Sequence, residues 1–413
     1  MPRPQRYSVT DRTTTDRTTP RVLIASDKFK GTLTAAEVGA AVGAGIHRVL
    51  PAASVSVVPV ADGGDGTVVA ALAAGFEAFP VIASGPTGAP VATRYARRGD
   101  LAVVELADVS GLTRLPGGRL DPMVATSRGT GEVIAAAVDA GCWQIVLGIG
   151  GSAGTDGGAG LLQALGADLL DVAGAPISPG GNALRQLATI DLTALRQRMS
   201  GIEITLANDV DNPLTGRRGA AVVYGPQKGA DATQVAVLDA ALTHWADLLA
   251  EATGTDVRDA PGAGAAGGAG FAVLAVLAAH QRPGIDLVLD LIGFADHLAD
   301  ADLVITGEGA LDDQTLHGKT VTGIVTAAHT AGIPVVAVCG QNLLSHTELR
   351  TAGIAAAYPL TDLDPDLVRC HTDAPGLLER LGERIATDHL RPAEPAPDPS
   401  ERGDVAGSGV AGG

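Results

Sequence analysis

Short apolar runs ending in glycine-rich turns, each followed by an alanine-rich helical stretch, recur along most of this chain. Val22–Ala25 reads as a strand. Thr34 to Val49 reads as a helix opened by Thr34-x-x-Glu37, the pattern of a capping box. Val55–Val60 and Ile145–Ile149 read as strands, each with a glycine turn and a helix after it, the first of these helices over Thr67–Ala74. Leu303–Thr306 and Val335–Cys339 read as strands around a helix at about Val321–Ala331. Strand, helix and strand in this alternation predict an α/β fold with a largely parallel sheet.

In such sheets, ligands gather at the carboxyl ends of the strands. The glycine turns fall there. The chain has 413 residues, which at roughly 100–200 residues per domain predicts two domains. The segment 81–289 has less regular strand and turn signals and is set apart as the second. Residues 1–20 repeat Asp-Arg-Thr-Thr, and residues from 391 onward are rich in Pro, Ala, Gly and acids. Neither end has the apolar content to offset the entropy of ordering, so both are expected to be disordered tails.

Composition narrows the function. Aromatic residues are 3% of the chain, so small aliphatic side chains must pack the core. The net charge of −17, with no run of Lys or Arg, argues against a nucleic-acid partner. Cys142, Cys339 and Cys370 show no metal-ligand spacing and fit a reducing, cytoplasmic setting without disulfides. The longest apolar stretch, Phe271–Ala279, is too short to span a bilayer, and no leader peptide is evident.

Only four of the 29 basic residues are lysines: Lys28, Lys30, Lys228 and Lys319. All four lie in or beside glycine turns. Where Arg is the general cation, a retained Lys marks a position suited to a compact ammonium, as on a phosphate.

Three glycine-rich segments could receive phosphate. They are Ala61-Asp62-Gly63-Gly64-Asp65-Gly66-Thr67, Gly148 to Gly158 with Gly150-Gly151-Ser152 at its centre, and Gly262 to Gly270. Glycine lets a backbone approach a ligand closely, and free N–H groups at a helix start attract anions. One such turn is more often helix–sheet packing; three at strand ends point to a nucleotide or phosphate site. Gly148-x-Gly150-x-x-Ala153 fits a dinucleotide fingerprint, but the acid expected about twenty residues on is poorly matched by Asp168 or Asp171. Gly318-Lys319-Thr320 ends like a P-loop, yet Asp313 stands where the first glycine is required.

Phosphoryl transfer also needs carboxylates for Mg²⁺ and a group to take the hydroxyl proton. Asp62 lies within a glycine turn, Asp209 follows the strand-like run Ile202–Leu206, and Glu308 and Asp312 flank Gly309. Asp156, Asp211 and Asp313 are read instead as capping and turn residues.

Taken in order, these segments resemble the bacterial type-1 glycerate kinases. The segments are Ser26 to Thr32, Ala61 to Thr67, Gly148 to Gly160, Asp209 to Leu214, Gly225 to Ala230, and Thr306 to Lys319. The likeness runs from Arg21 to about Gly382. It implies a Rossmann-like domain built from residues 21–80 and 290–388, an inserted α/β domain over 81–289, and an active site in the cleft. It implies ATP, Mg²⁺ and D-glycerate, with 2-phosphoglycerate as product; related kinases phosphorylate the 3-hydroxyl. A homodimer is among the assemblies it allows. Three positions depart from the family pattern: Gly154-Thr155 replaces Thr-Asn, Asn208 replaces a small Ser or Cys, and Asp65 replaces Glu.

The expected roles follow. Asp209 accepts the hydroxyl proton, with Asp62 second. Lys28 or Lys319 neutralises charge on the transferred group. Lys30, Lys228, Gly63, Gly64, Gly150, Gly151, Ser152, Gly307, Gln314 and Thr315 line the phosphate and substrate sites. Arg128 grips the glycerate carboxylate, and Glu308 and Asp312 hold Mg²⁺ directly or through water. The rivals are a nicotinamide-dependent oxidoreductase using the Gly148 turn and a non-catalytic nucleotide-binding regulator.

Overall fold

The computed structural model describes residues 19–313, 315–316 and 320–390. It opens with strands β1 (Arg21–Ile24) and β2 (Ser54–Val57). The middle of the chain supplies β3 (Glu77–Ser84), β4 (Pro90–Arg98), β5 (Leu101–Glu105), β6 (Gln144–Gly148), β7 (Asp168–Leu170), β8 (Thr189–Asp191), β9 (Glu203–Ala207) and β10 (His280–Arg282). The last part supplies β11 (Leu303–Leu311), β12 (Val335–Asn342) and β13 (Ala356–Pro359).

The strands form two main sheets. One is five-stranded and wholly parallel, in the order β13-β12-β11-β1-β2. The other is six-stranded, in the order β10-β9-β6-β5-β4-β3. Its β5, β6, β9 and β10 are parallel, while β3 and β4 add an antiparallel edge. Strands β7 and β8 pair separately. The first sheet thus takes its strands from both ends of the described chain, and the second from its middle. The boundary drawn at 80/81 falls inside β3, and the one at 289/290 falls inside helix Gly284–Leu291.

Helix α1 (Ala35–Val49) begins as the sequence predicts: Thr34 and Glu37 form a complete capping box. Helix α2 (Thr67–Ala73) follows the Asp62 turn. Helices α3 (Arg128–Asp139) and α4 (Ala159–Leu165) pack together against the six-stranded sheet. Helices α5 (Ala232–Thr253) and α6 (Ala265–Leu277) complete that layer, with Trp245 buried between them and edge-on to Phe271. Helix α7 (Gly284–Leu291) bridges the sheets: Ile285 and Val288 join one core, Leu287 and Leu291 another. Helices α8 (Thr320–Thr330) and α9 (Ala374–Ile385) lie on the five-stranded sheet.

The strand after Asp302 is longer than its sequence suggests. Gly307, Glu308 and Gly309 read as a turn, but β11 continues through them to Leu311. Gly307 and Glu308 pair in register with Val338 and Cys339 of β12, which also runs three residues past its expected end. Long-range pairing overrides the local turn signal of the glycines.

A core poor in aromatics is closed by small residues. Helices α1 and α9 touch through backbone, and a Cβ at Gly45 would lie 1.9 Å from the Glu379 carbonyl oxygen. Gly45→Ala is therefore expected to destabilise by about 1–3 kcal/mol, because overpacking against backbone outweighs the roughly 1 kcal/mol of helix propensity gained. Urea unfolding measures it; an unchanged midpoint would mean the helices can separate freely.

Candidate functional site

In the five-stranded sheet, strand order reverses beside β1. The chain moves from β1 to β2 on one side and returns to β11 on the other. The carboxyl ends of β1 and β11 therefore flank a topological switch point, the place where open α/β sheets hold ligands.

The segment after β1 is fastened there. Asp27 N–H donates to the Gly307 carbonyl at 2.9 Å, and Ser26 Oγ donates to the same oxygen at 3.3 Å. Phe29 is buried and pairs with Leu33, closing a small loop. Anchored on that ring, Lys28 is half-buried and Lys30 exposed, with the Lys30 backbone beside Gly309. Asp27 Oδ1 accepts from Lys28 N–H at 2.7 Å, and Oδ2 accepts from Thr320 Oγ1, at the start of α8, at 3.1 Å.

The Asp62 turn faces this loop. Lys28 Nζ pairs with Asp65 Oδ2 at 3.0 Å and also donates to the Asp65 carbonyl. Burial, followed by the neighbouring Asp62 charge, holds the Asp27 carboxyl above its ordinary range. Burial pulls the Lys28 ammonium down, but Asp65, Asp27 and Asp62 together outweigh it and keep it above its usual value. Within the turn, Asp62 Oδ1 accepts from Gly64 N–H at 3.2 Å. Gly66 has φ +105° and opens α2 without a side-chain cap of its own; Glu105 of β5 supplies the acceptor instead.

Here the two sheets meet. A Cβ at Gly148, the last residue of β6, would lie 2.5 Å from the Gly63 carbonyl oxygen. One at Gly150 would lie 2.8 Å from Gly64 Cα. Gly63 also abuts Ala207, the last residue of β9, and Gly284, the first of α7. Asp209, just beyond β9, accepts Gly284 N–H on Oδ1 at 2.7 Å and remains exposed. The structure thus brings Lys28, Lys30, Asp62, Gly63, Gly64, Gly150 and Asp209 into one neighbourhood.

Other expected residues are placed differently. Lys228 is 2% exposed, so it lies beneath the Gly150–Ser152 turn rather than on a ligand surface. Its Nζ donates to Ser152 Oγ at 2.7 Å and to the Gly154 carbonyl. Burial lowers its pKa to about 7, although the Asp156 charge opposes the shift. Asp156, expected as a capping and turn residue, is a buried hub, accepting from Thr126 Oγ1, Ser127 N and Oγ, and two glycine N–H groups of the α4 start. The Gly262–Gly270 segment also reads differently in the fold: it is largely buried, and its glycines pack against Gly154 and Gly157. It is a packing surface, not a phosphate turn.

Gly151 is fixed by Leu112 N–H, which donates to its carbonyl at 3.0 Å. Arg128 stands at the start of α3 with Nε 3.0 Å from Glu132 Oε1, and is half-exposed. Glu308 Oε1 accepts from the buried Thr315 Oγ1 at 2.6 Å, and Thr315 Oγ1 also accepts Asp312 N–H at 3.0 Å. Thr315 therefore orients Glu308 and the Asp312 turn from below. Gly307 lies inside β11 with its carbonyl used by Asp27 and Ser26. Gln314 and Lys319 lie outside the described residues. Asp211 pairs with Arg218, in keeping with a turn role.

Sequence reasoning passed over Asp27, Asp65, Glu105 and Thr320 as site residues. Asp27 follows a strand just as Asp62 does, so the same rule could have found it. Glu105 and Thr320 carry no local signal, because their partners are 39 and 293 residues away.

Gly148–Ala153 does not make a dinucleotide turn. Ten residues separate β6 from the seven-residue α4, and Asp168 begins the small β7–β8 pair instead of ending a parallel strand. Cations and carboxylates on glycine turns at a switch point are instead the equipment of a phosphotransferase. The sequence signature described as the glycerate kinase family matches residues 22–390. The chain is 44% identical over 369 residues to the glycerate kinase of Bacillus subtilis (strain 168), covering 89% of this chain and 97% of that one. It is 44% identical over 325 residues to the glycerate 2-kinase of Escherichia coli (strain K12), covering 78% and 85%. A crystal structure of a Salmonella typhimurium LT2 protein assigned to glycerate kinase 2 superposes with a TM-score of 0.76 at 41% identity, covering 89% and 98%. This chain belongs to the glycerate kinase family and is a kinase. Among the described residues, no helix is long and apolar enough to cross a membrane.

The buried ammonium makes a testable contribution to stability. A lysine whose folded pKa lies near 7 against an ordinary 10.5 gives stability that is complete above about 10.5 and falls away as pH drops towards 7. Lys228 is expected to contribute a gain in stability, on the order of a few kcal/mol, between those pH values. Lys228→Met should remove that gain while the rest of the curve keeps its shape. Parallel denaturation curves for the two proteins across this range would overturn the assignment.

Proposed function

We propose that this kinase transfers the γ-phosphoryl group of ATP to D-glycerate, giving 2-phosphoglycerate and ADP. The observation that carries the reading is the meeting of Lys28, Asp62 and Asp209 around the Gly63–Gly148 contact, in a chain similar to a curated glycerate 2-kinase.

In the proposed reaction, the 2-hydroxyl oxygen attacks the γ-phosphorus. The bond to the β–γ bridging oxygen breaks, and its electron pair leaves with ADP. The hydroxyl proton passes to Asp209, whose orientation is set by the Gly284 N–H bond; Asp62 is the second candidate. Lys28 exchanges Asp65 for the transferred phosphoryl group, and Lys30 supports the neighbouring phosphates. Gly63, Gly64, Gly150, Gly151 and Ser152 provide close-approach backbone. Lys319 and Gln314 are assigned to the phosphates on their motif alone. Arg128 takes the glycerate carboxylate in place of Glu132.

Glu308 and Asp312 are the residues proposed to hold Mg²⁺. Their hard oxygen donors suit it, and nucleotide-bound Mg²⁺ needs only one or two carboxylates from protein. When bound, the ion neutralises charge on the phosphate oxygens. The division of the chain into two domains, one per sheet, with the site between them, is part of this proposal; the two sheets drawn from the ends and the middle of the chain support it. Whether two copies pair is a separate proposal, tested by light scattering.

The primary test is ADP release with Mg²⁺-ATP and D-glycerate, followed by phosphorus NMR of the product. Glycerate-dependent ADP and a 2-phosphate signal are expected. A 3-phosphate would correct the regiochemistry, and no ADP would overturn the reading. Asp209→Asn should lower kcat by roughly 10²–10⁴-fold with ATP affinity little changed. Normal turnover in that variant would remove Asp209 from the proton-transfer role.

A further inference from the structure

Glu105 is a buried carboxylate that the proposed reaction does not use. It is the last residue of β5, 6% exposed, and pairs in register with Gly148 of β6. It therefore lies directly beneath the place where the two sheets touch. Oε1 accepts Gly66 N–H at 3.1 Å and Oε2 accepts Val68 N–H at 3.1 Å. Gly66 is the left-handed residue that opens α2, and no side chain near it in sequence caps the helix. One carboxylate from the six-stranded sheet thus supplies both acceptors for a turn that presents Asp62 and Asp65 to the five-stranded one.

We infer that Glu105 is a positioning residue for the proposed phosphoryl transfer: its ionised carboxylate fixes the Asp62–Gly66 turn, and with it the Asp65 partner of Lys28. The inference rests on that reading of the site. Geometry explains why ionisation matters. Each oxygen already accepts an N–H, and protonation turns one of them into a hydroxyl, a much weaker acceptor than a carboxylate oxygen, so the clamp loosens.

The surroundings place the ionisation in a useful range. Burial pushes Glu105 up to about 7, against the pull of the Val68 and Gly66 N–H groups. Asp65 and Asp108 add to the rise. Asp65 is itself answered by Lys28, and Asp108 by Arg114 and Thr93 Oγ1. None of the charges that act most strongly on Glu105 is a cation.

The test compares wild type with Glu105→Gln. Glutamine keeps the shape but offers one acceptor oxygen and sets its NH₂ against the other N–H. At saturating Mg²⁺-ATP, wild-type turnover is expected to rise with pH through about 7. The variant should lose that limb and fall by about 10²-fold in kcat, the cost of a misplaced catalytic turn, with a smaller change in KM for ATP. A variant with wild-type kcat and the same limb would overturn the inference. Amide hydrogen exchange on wild type judges it without the variant and without activity. Protection of Gly66 and Val68, corrected for intrinsic rates, should increase as pH passes 7, and flat protection would overturn it. If wild type makes no product from glycerate, the substrate reading fails, while the exchange result still decides whether Glu105 is the clamp.

Discussion

The contact between Gly63 and Gly148 determines how the two sheets are seated. Carbonyl and Cα stand where side chains would be, so the turn after β2 and the end of β6 meet backbone to backbone. Gly64 against Gly150 repeats the contact, and Gly63 against Gly284 extends it to α7. A methyl group at Gly148 or Gly150 would sit within 3 Å of backbone and would have to push the sheets apart. Everything proposed for catalysis depends on this approach. Asp62 and Asp65 belong to one side of it, while Asp209 and the Gly150–Ser152 turn belong to the other.

Buried polar groups hold each side of that contact from within. Below the Gly150 turn, Lys228 and Asp156 satisfy the loop's carbonyls, hydroxyls and amides. Below the Asp62 turn, Glu105 does the same for the first amides of α2. Loops of small residues have little apolar surface with which to order themselves, so hydrogen bonds to buried partners must do it. A single unpaired partner in such a place would cost about 1–3 kcal/mol. The composition, poor in aromatics and rich in glycine, makes this internal polar scaffold necessary.

Much of the fold was legible because glycine punctuates it. The strand ahead of Lys28 lies within one residue of its expected bounds, and the Thr34–Glu37 capping box is present as read. Asp62 and Asp209 were legible as candidates because each follows an apolar run. The misreadings share one physical cause. Gly307 and Gly309 look like a turn, but β12 lies so close that only 2.4 Å separates the Val338 carbonyl oxygen from a Cβ at Gly307. There glycine serves strand pairing, not a bend. Gly262–Gly270 likewise serves packing, and Lys228 is buried by partners 74 and 76 residues away. Sequence neighbours show where a chain can turn; they do not show what another segment will press against it.

The charge balance of the site also follows from its geometry. In a chain of net charge −17, Lys28 stands among Asp27, Asp62 and Asp65. Its pair with Asp65 is partly open to water, with the side chains 28% and 60% exposed. Such pairs are worth about 0–1 kcal/mol, so a phosphate can displace Asp65 at little cost. An acidic protein can therefore receive an anionic substrate without a basic surface. The positive charge is local, held above its ordinary pKa by neighbours it can exchange, and it stands at the switch point where the backbone turns already converge.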